Sequence, residues 1–343
     1  MTSEPGAIGR VLKVIAGTTA VLTFFFAIRQ ATIFVGDYRD RHRRVVERLA
    51  TADLQRSARD YRAAWSSLRE AATIDPRADT VQRAREALAM DWLEHAASSQ
   101  GLSLGALGDT MSPVLTRGIL DATGTRRADL LAHLGWADFL RSRDGGQVEL
   151  DPSARYRQAL ATDSLNPYAH AMLGHWLLWG SPRRPDEART HFAAALRSGR
   201  AGAYVRGLEF AAFANQQSDA GYMELLRVAN AMRVANDTID DRSRGRVYSV
   251  ISSFLRRGTA PLPPAVSRSV APGELLRTYR WLFSSNQAES DVETYTFMLA
   301  RLQEAAGDSA DAVTSYRAVR ARLGPDDAGY RQGIDSALKR LRR

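Results

Sequence analysis

The sequence predicts an all-α protein in which one hydrophobic helix precedes a series of antiparallel helix pairs. Three observations favour this fold class: an apolar run near the N-terminus, helical spacing of apolar residues beyond residue 40, and small residues that recur in one register. The chain has 343 residues, of which 45% are hydrophobic and 25% are charged, the balance of a folded protein. Twelve prolines in this length leave room for continuous helices.

The composition excludes several classes of function. The chain has no cysteine, so it has no disulfide, no thiolate metal site and no cysteine nucleophile. The formal charge is +9, but most of the excess lies in residues 1–48 and 331–343. A nucleic-acid surface needs a basic stripe along the folded body, so we predict no nucleic-acid partner. Arginine is strongly preferred over lysine, which is typical of a GC-rich bacterial genome.

The N-terminal hydrophobic segment predicts a single membrane span. Val11 to Ile28 is interrupted by charge only at Lys13, and 18 helical residues rise about 27 Å, close to the roughly 30 Å bilayer core. Residues 31–35 continue it as an amphipathic stretch. We therefore predict an N-terminal tail (1–10), a transmembrane helix in contact with lipid (11–35) and a helical domain (36–343).

Two other interpretations of this segment remain. A cleaved signal peptide needs small residues before its cleavage site, and no such pattern follows Phe26. A buried core helix is disfavoured because charged residues flank both ends. Basic residues are more numerous after the span than before it, which favours a cytoplasmic body anchored in the bacterial inner membrane. A periplasmic body is the alternative.

Small and aromatic residues recur at fixed offsets in four segments. The first segment has Ala64, Leu68 and Ala71, with a proline after them. The other three segments contain the following sets: Leu134, Gly135, Tyr156 and Ala159; Leu173, Gly174, Ala188 and Phe192; Leu299, Ala300, Gly307, Ala312 and Tyr316. A small residue where two helices cross lets their axes approach, and a large residue fills the opposite groove.

These four segments (42–76, 128–165, 167–199 and 293–325) resemble tetratricopeptide repeats, which are 34-residue helix–turn–helix units. The resemblance implies an α-solenoid whose first helices line a concave, peptide-binding face. Residues 326–341 are predicted to form a polar capping helix. Residues 79–125 and 201–290 have helical spacing but match no consensus.

The same resemblance selects candidate partner-binding residues by the offsets that point into the groove. Those residues are Asp129, Trp136, Phe139, Tyr168, His175, Leu178 and Trp179. Aromatic groups with a polar edge are effective anchors for a peptide. The alternative is that Trp136 and Trp179 are buried by neighbouring helices. Trp136 and His175 stand where the family's carboxylate clamp has asparagines, so that specific activity is not implied.

The sequence lacks the catalytic motifs considered below, and we therefore predict that the chain is not an enzyme and has no metal or cofactor. The six histidines lack metal-binding spacing, and neither a phosphate loop nor a nucleophile elbow is present. Asp240-Asp241 and Asp326-Asp327 stand at predicted helix starts, where acids cap helices. The predicted function is a membrane-anchored scaffold or adaptor for a protein partner.

Two alternative functions remain. The first is an enzyme or enzyme subunit with a site in residues 201–290, which a carboxylate of raised pKa beside a tyrosine would favour. The second is a module that binds anionic lipid through the arginines of residues 39–48. Those arginines are equally compatible with the solvated start of a helix.

Overall fold

The computed structural model describes residues 6–96, 100–146, 151–256, 262–283, 292–324 and 327–342. The side chains of residues 6–25, and those at 27, 28, 31, 33, 292 and 293, are outside this description. The described residues form α-helices joined by turns and loops, and no strand occurs among them. The predicted all-α class is therefore confirmed. The chain divides into two compact units, Met1–Leu150 and Asp151–Arg343.

In the described residues of the first unit, five helices follow one another and successive helices pack together. They are α1 (Gly6–Ser57), α2 (Tyr61–Ile74), α3 (Asp79–Glu94), α4 (Leu104–Asp121) and α5 (Gly124–Arg143). Helix α3 contacts α1 and α5 as well as its sequence neighbours α2 and α4. The alternate helices α1, α3 and α5 therefore lie side by side, which is how stacked helix pairs bury a continuous core.

The second unit contains eleven helices within the described residues. They are α6 (Pro152–Thr162), α7 (Pro167–Trp179), α8 (Pro185–Arg197), α9 (Gly202–Ala214), α10 (Asp219–Val234), α11 (Asp241–Arg256), α12 (Pro264–Ser269), α13 (Pro272–Leu282), α14 (Val292–Ala306), α15 (Ser309–Arg322) and α16 (Ala328–Leu341). The closest pairs are α7–α8 and α14–α15, and α7 also contacts α9. Helix α16 covers the end of α15, at the place of the predicted capping helix.

Polar caps and prolines explain where many of these helices begin. The side chains of Asp60, Ser103 and Asn166 each accept a hydrogen bond from the backbone N–H three residues later. Such a cap satisfies one of the amides that a helix start leaves unpaired. Asp240 does the same for Ser243 at the start of α11, as predicted for the acidic pair there. Asp327 precedes α16 and accepts from Gly324 N instead.

The α7–α8 hairpin has the packing that its register predicts. A Cβ added at Gly174 would lie 3.1 Å from Phe192 Cε2 and 3.2 Å from the carbonyl oxygen of Ala188. Ala188, Phe192 and Ala195 are completely buried. The glycine therefore lets the two helix axes approach, and the phenylalanine fills the space opposite.

The predicted repeat at 128–165 is divided between the two units. Helix α5 belongs to the first unit, where it packs most extensively on α4, and α6 belongs to the second, where it packs on α7. The α4–α5 crossing is made at Gly108, where a Cβ would lie 2.7 Å from the carbonyl oxygen of Ala137. Helices α3 and α4 fill the segment that matches no consensus, and α9–α13 fill the other.

The predicted membrane segment lies in α1. Among the residues that the structure describes, no helix combines the length and the apolar character needed to cross a bilayer. The side chains from Val11 to Ile28, except that of Phe26, are outside the described set.

Candidate functional site

Helix α5 places its predicted groove residues against the C-terminal end of α3. Trp136 is 7% exposed, and its Nε1 donates to the carbonyl oxygen of Leu93 at 3.0 Å. Phe139 is buried with its ring centroid 4.9 Å from that of Trp136. Asp129 is half-buried, and its carbonyl oxygen lies 2.7 Å from His133 Nδ1. This face of α5 therefore contributes to packing within the first unit.

A polar cluster surrounds the same end of α3. Asp91 accepts from Arg56 Nε at 2.7 Å and lies 3.2 Å from His95 Nδ1. His133 is fully buried, with its Nε2 3.1 Å from Glu94 Oε1. The ring of Tyr61 stacks on that of His95, with centroids 5.8 Å apart. Hydrogen bonds to carboxylates, which are stronger than neutral ones, therefore join α3 to α1 and α5, and ring stacking joins α2.

The charges of this cluster shift its pKa values in opposite directions. The hydrogen bond to Asp91 raises the pKa of His95 above its usual value. Burial opposes the charged form of Asp91, but the hydrogen bonds from His95 and Arg56 outweigh it and lower the pKa of the carboxyl. Burial, together with the charge of Asp91, raises the pKa of Tyr61 to about 12. The cluster is thus an imidazole, a carboxylate and a guanidinium whose mutual hydrogen bonds stabilise helix packing.

Helix α7 presents its predicted groove residues differently. His175 and Leu178 are buried, and Tyr168 is half-buried with its ring 5.6 Å from that of Tyr204. Trp179 is 45% exposed at the end of the helix. The structure describes all six tryptophans, and Trp179 is the one that is exposed.

Hydrogen bonds hold the backbone at the end of α7, next to Trp179. The amide of Arg184 donates to the carbonyl oxygen of Leu177 at 2.9 Å, which folds the turn back onto the helix. Gln216 Nε2 donates to the carbonyl oxygen of Leu178 at 3.1 Å and accepts from Arg183 at 3.3 Å. The backbone next to this exposed tryptophan is therefore held by hydrogen bonds from the Gln216 side chain and the Arg184 amide.

The structure also brings together two histidines that the sequence did not pair. His170 Nδ1 on α7 lies 2.9 Å from His191 Nδ1 on α8, and His170 Nε2 lies 3.0 Å from the carbonyl oxygen of Ser164. Because one ring nitrogen must accept the hydrogen bond, at least one ring is neutral. Burial lowers the pKa of both rings, and the charge of His170 lowers that of His191 further. A separation of 21 residues gave no local signal for this contact.

The carboxylate of Glu209, among the described part of residues 201–290, has a raised pKa. Burial raises the pKa of Glu209 above its usual value, against the charge of Arg227. Its hydrogen-bond partner is Arg227, which also donates to Glu224 at 2.7 Å. Arg189 donates to the other oxygen of Glu224 at 2.7 Å, so the charges connect α8, α9 and α10. The carboxylate is paired with a guanidinium rather than a tyrosine, which favours a packing role over catalysis.

The arginines of residues 39–48 are exposed along α1. Arg43 lies 3.4 Å from Asp40, and Arg48 lies 3.0 Å from Glu70 on α2. Part of this basic charge is therefore compensated on the surface. Among the described residues, no group of three or more histidines and acids is placed to hold a metal ion.

No protein-family model matches the chain, and no curated protein matches it. A search of solved structures finds similarity to the crystal structure of the TPR domain of P58(IPK) at 15% sequence identity. The match covers 87% of this chain and 98% of that chain, with a TM-score of 0.19. At that score the similarity carries no argument about helix arrangement or function.

Proposed function

We propose that this chain is a helical scaffold that binds a protein partner, with Trp179 as a principal anchor. The observation that carries the proposal is the 45% exposure of this indole at an offset where the repeat resemblance expects a groove residue. Tryptophan is among the residues that dominate protein-binding hot spots.

The other groove residues have supporting roles in this proposal. Trp136, Phe139, His175 and Leu178 are buried, so they shape the helix faces rather than offer contact area. Asp129 and Tyr168 are half-buried, so part of each residue reaches the edge of those faces. The partner would contact exposed groups at the turns and rims of the helix pairs.

Site-specific photo-cross-linking in cells tests this surface. A benzophenone amino acid replaces Trp179 in the full chain, and a matched control replaces Leu165, which is 68% exposed at the turn before α7. We expect a discrete cross-linked protein band from position 179 that is absent from position 165. The unlabelled Trp179→Ala chain should also lose that partner in affinity capture.

Equal cross-linking at both positions, or no discrete band at position 179, would contradict the proposal. Circular dichroism of both variants provides the folding control, because neither side chain belongs to the buried core.

We also propose that residues 11–35 anchor the scaffold in the bacterial inner membrane, with the body on the cytoplasmic side. The support is the apolar run from Val11 to Ile28 and the arginines that follow it. Anchoring raises the local concentration of the scaffold near membrane partners. Carbonate extraction should leave the full chain in the membrane fraction and release a chain that begins at residue 36.

A reporter fused to the C-terminus tests the side of the membrane. We expect activity from a cytoplasmic reporter and none from an exported alkaline phosphatase; the reverse pattern would place the body in the periplasm. The proposal includes no catalytic step.

A further inference from the structure

Three arginines in the first unit stand on three successive helices: Arg69 on α2, Arg85 on α3 and Arg117 on α4. Arg69 and Arg117 are exposed, and Arg85 is half-buried. They belong neither to the predicted groove nor to the polar cluster at the end of α3.

Arg85 is held on an aromatic platform. Its guanidinium carbon lies 5.3 Å from the ring centroid of Trp65 on α2, within the distance of a cation–π contact. Its Nε is buried and has no hydrogen-bond partner in the protein.

The packing of α3 on α4 places Arg117 beside Arg85. Gln82 Nε2 donates to the carbonyl oxygen of Val114 at 3.4 Å, and the carboxylate of Glu86 packs against Gly118. Residues 82–86 of α3 therefore lie along residues 114–118 of α4, and the two arginines stand within these stretches.

Arg69 completes the cluster from the other side. It follows Trp65 by four residues on α2, so the two side chains share one face of that helix. Since Trp65 underlies Arg85, Arg69 lies on the same side of the α2–α3 contact. Burial first, and then the charges of Arg117 and Arg69, lower the pKa of Arg85.

Three acids near the cluster are paired with other arginines. Glu70 pairs with Arg48, and Asp79 pairs with Arg83. Glu86, which is 3% exposed, accepts hydrogen bonds from both Nε and Nη2 of Arg126 at 2.7–3.1 Å. Within the described residues, no acid forms an ion pair with any of the three clustered arginines, so their charge is uncompensated.

We propose that Arg69, Arg85 and Arg117, with Trp65 beneath them, bind an acidic peptide segment of a protein partner. This deepens the proposed function by naming the chemistry of a partner, but it concerns the first unit and does not depend on Trp179. Arginine binds carboxylates through paired N–H groups, and a guanidinium already stacked on an indole loses little freedom on binding.

A peptide fits this surface better than nucleic acid or lipid does. A nucleic-acid site needs a long basic stripe, whereas this cluster spans three side chains. A lipid surface attracts dispersed cations, whereas here one guanidinium is half-buried against the ring of Trp65. Tryptophan and arginine together are the residues most enriched where proteins bind proteins.

Fluorescence anisotropy with a fluorescein-labelled octaglutamate peptide tests the proposal on the full chain in detergent. The variant Arg85→Gln removes the central charge, and we expect binding at least about tenfold weaker, the equivalent of one charge-assisted hydrogen bond.

Arg83→Gln is the matched control. It removes the same charge from the same helix, but Arg83 is exposed and paired with Asp79. We expect a change of less than about twofold, since exposed pairs contribute little.

A second variant tests the platform. Trp65→Leu keeps every charge but removes the aromatic ring, and we expect binding several-fold weaker. Thermal unfolding of each variant distinguishes loss of binding from loss of folding. If Trp65→Leu unfolds, the comparison of Arg85→Gln with Arg83→Gln still decides the result.

Three results would overturn the proposal. The first is wild-type affinity in Arg85→Gln, and the second is equal loss in Arg83→Gln, which would indicate net charge alone. The third is binding to phosphatidylserine vesicles, by a chain lacking residues 1–35, that depends on Arg85 while octaglutamate binding does not. Trp179→Ala should bind octaglutamate as the wild type does, so failure of either proposal leaves the other standing.

Discussion

The α4–α5 and α7–α8 hairpins use the same device in different sequence settings. Each crosses at a glycine, Gly108 against Ala137 in the first hairpin and Gly174 against Ala188 and Phe192 in the second. The second matches the tetratricopeptide register, whereas α4 lies in a segment that matches no consensus. The close approach of two helices therefore depends on a small residue at the crossing and not on the recognisable motif around it.

The two hairpins also differ in what covers their aromatic residues. On α5, Trp136 is buried because α3 lies against it and Leu93 accepts its N–H. On α7, Trp179 stands at the last residue of the helix and stays exposed. Residues chosen by the same family offsets thus have opposite environments, because the neighbouring helix decides what is covered.

The largest expected effect is the contrast between the two tryptophans. Trp136→Ala removes a buried ring and a hydrogen bond, so we expect a loss of about 3–5 kcal/mol in the free energy of unfolding. Trp179→Ala removes an exposed ring, and we expect a change of less than about 1 kcal/mol. Urea unfolding of the full chain in detergent, followed by circular dichroism, measures both. Similar values for the two variants would remove the distinction between core and surface.

The next effect compares the two glycines. In Gly108→Ala the new Cβ meets a backbone oxygen at 2.7 Å, so the helices must separate, and we expect a loss of about 1–3 kcal/mol. In Gly174→Ala the Cβ meets Phe192 and Ala188 at 3.1–3.2 Å. The higher helix propensity of alanine, about 1 kcal/mol, offsets much of that crowding. The same unfolding series tests the order, and a larger loss in Gly174→Ala would reverse it.

The smallest expected effect is the pH dependence of the free energy of unfolding, to which histidines of the two units contribute with opposite signs. The pKa values of His170 and His191 are lowered in the folded protein, so the unfolded chain binds more protons and stability falls as the pH decreases through their folded pKa values. The pKa of His95 is raised in the folded protein. Its contribution to stability is therefore fully present below the pKa of the unfolded chain and is lost as the pH rises through the pKa of the folded protein.

Single variants separate these two contributions. His191→Gln should reduce the loss of stability between pH 7.5 and pH 5.5, whereas His95→Gln should increase it. The urea midpoint of each variant at both pH values is the measurement. If His191→Gln shows the same pH dependence as the wild type, the histidine pair does not contribute to it.

Some elements of the site followed from the sequence and others did not. The helix start at Asp240 was readable because a cap is a local interaction within three or four residues. The groove offsets select both Trp179, which is exposed, and Trp136, whose burial depends on Leu93, 43 positions away. The contact between His170 and His191 and the arginine cluster gave no signal, since their members lie on different helices.

The sequence by itself determined that this chain is helical and where many helices begin, because helix propensity, apolar period and capping act over a few residues. It also determined that Gly174 faces Ala188 and Phe192, since one short turn joins their helices. The tertiary structure alone decided that α5 belongs with α4 and α3, that Glu86 pairs with Arg126 rather than with Arg85, and that Trp136 is covered. Those outcomes depend on packing and charge between helices far apart in the chain, where many pairings satisfy the same local pattern.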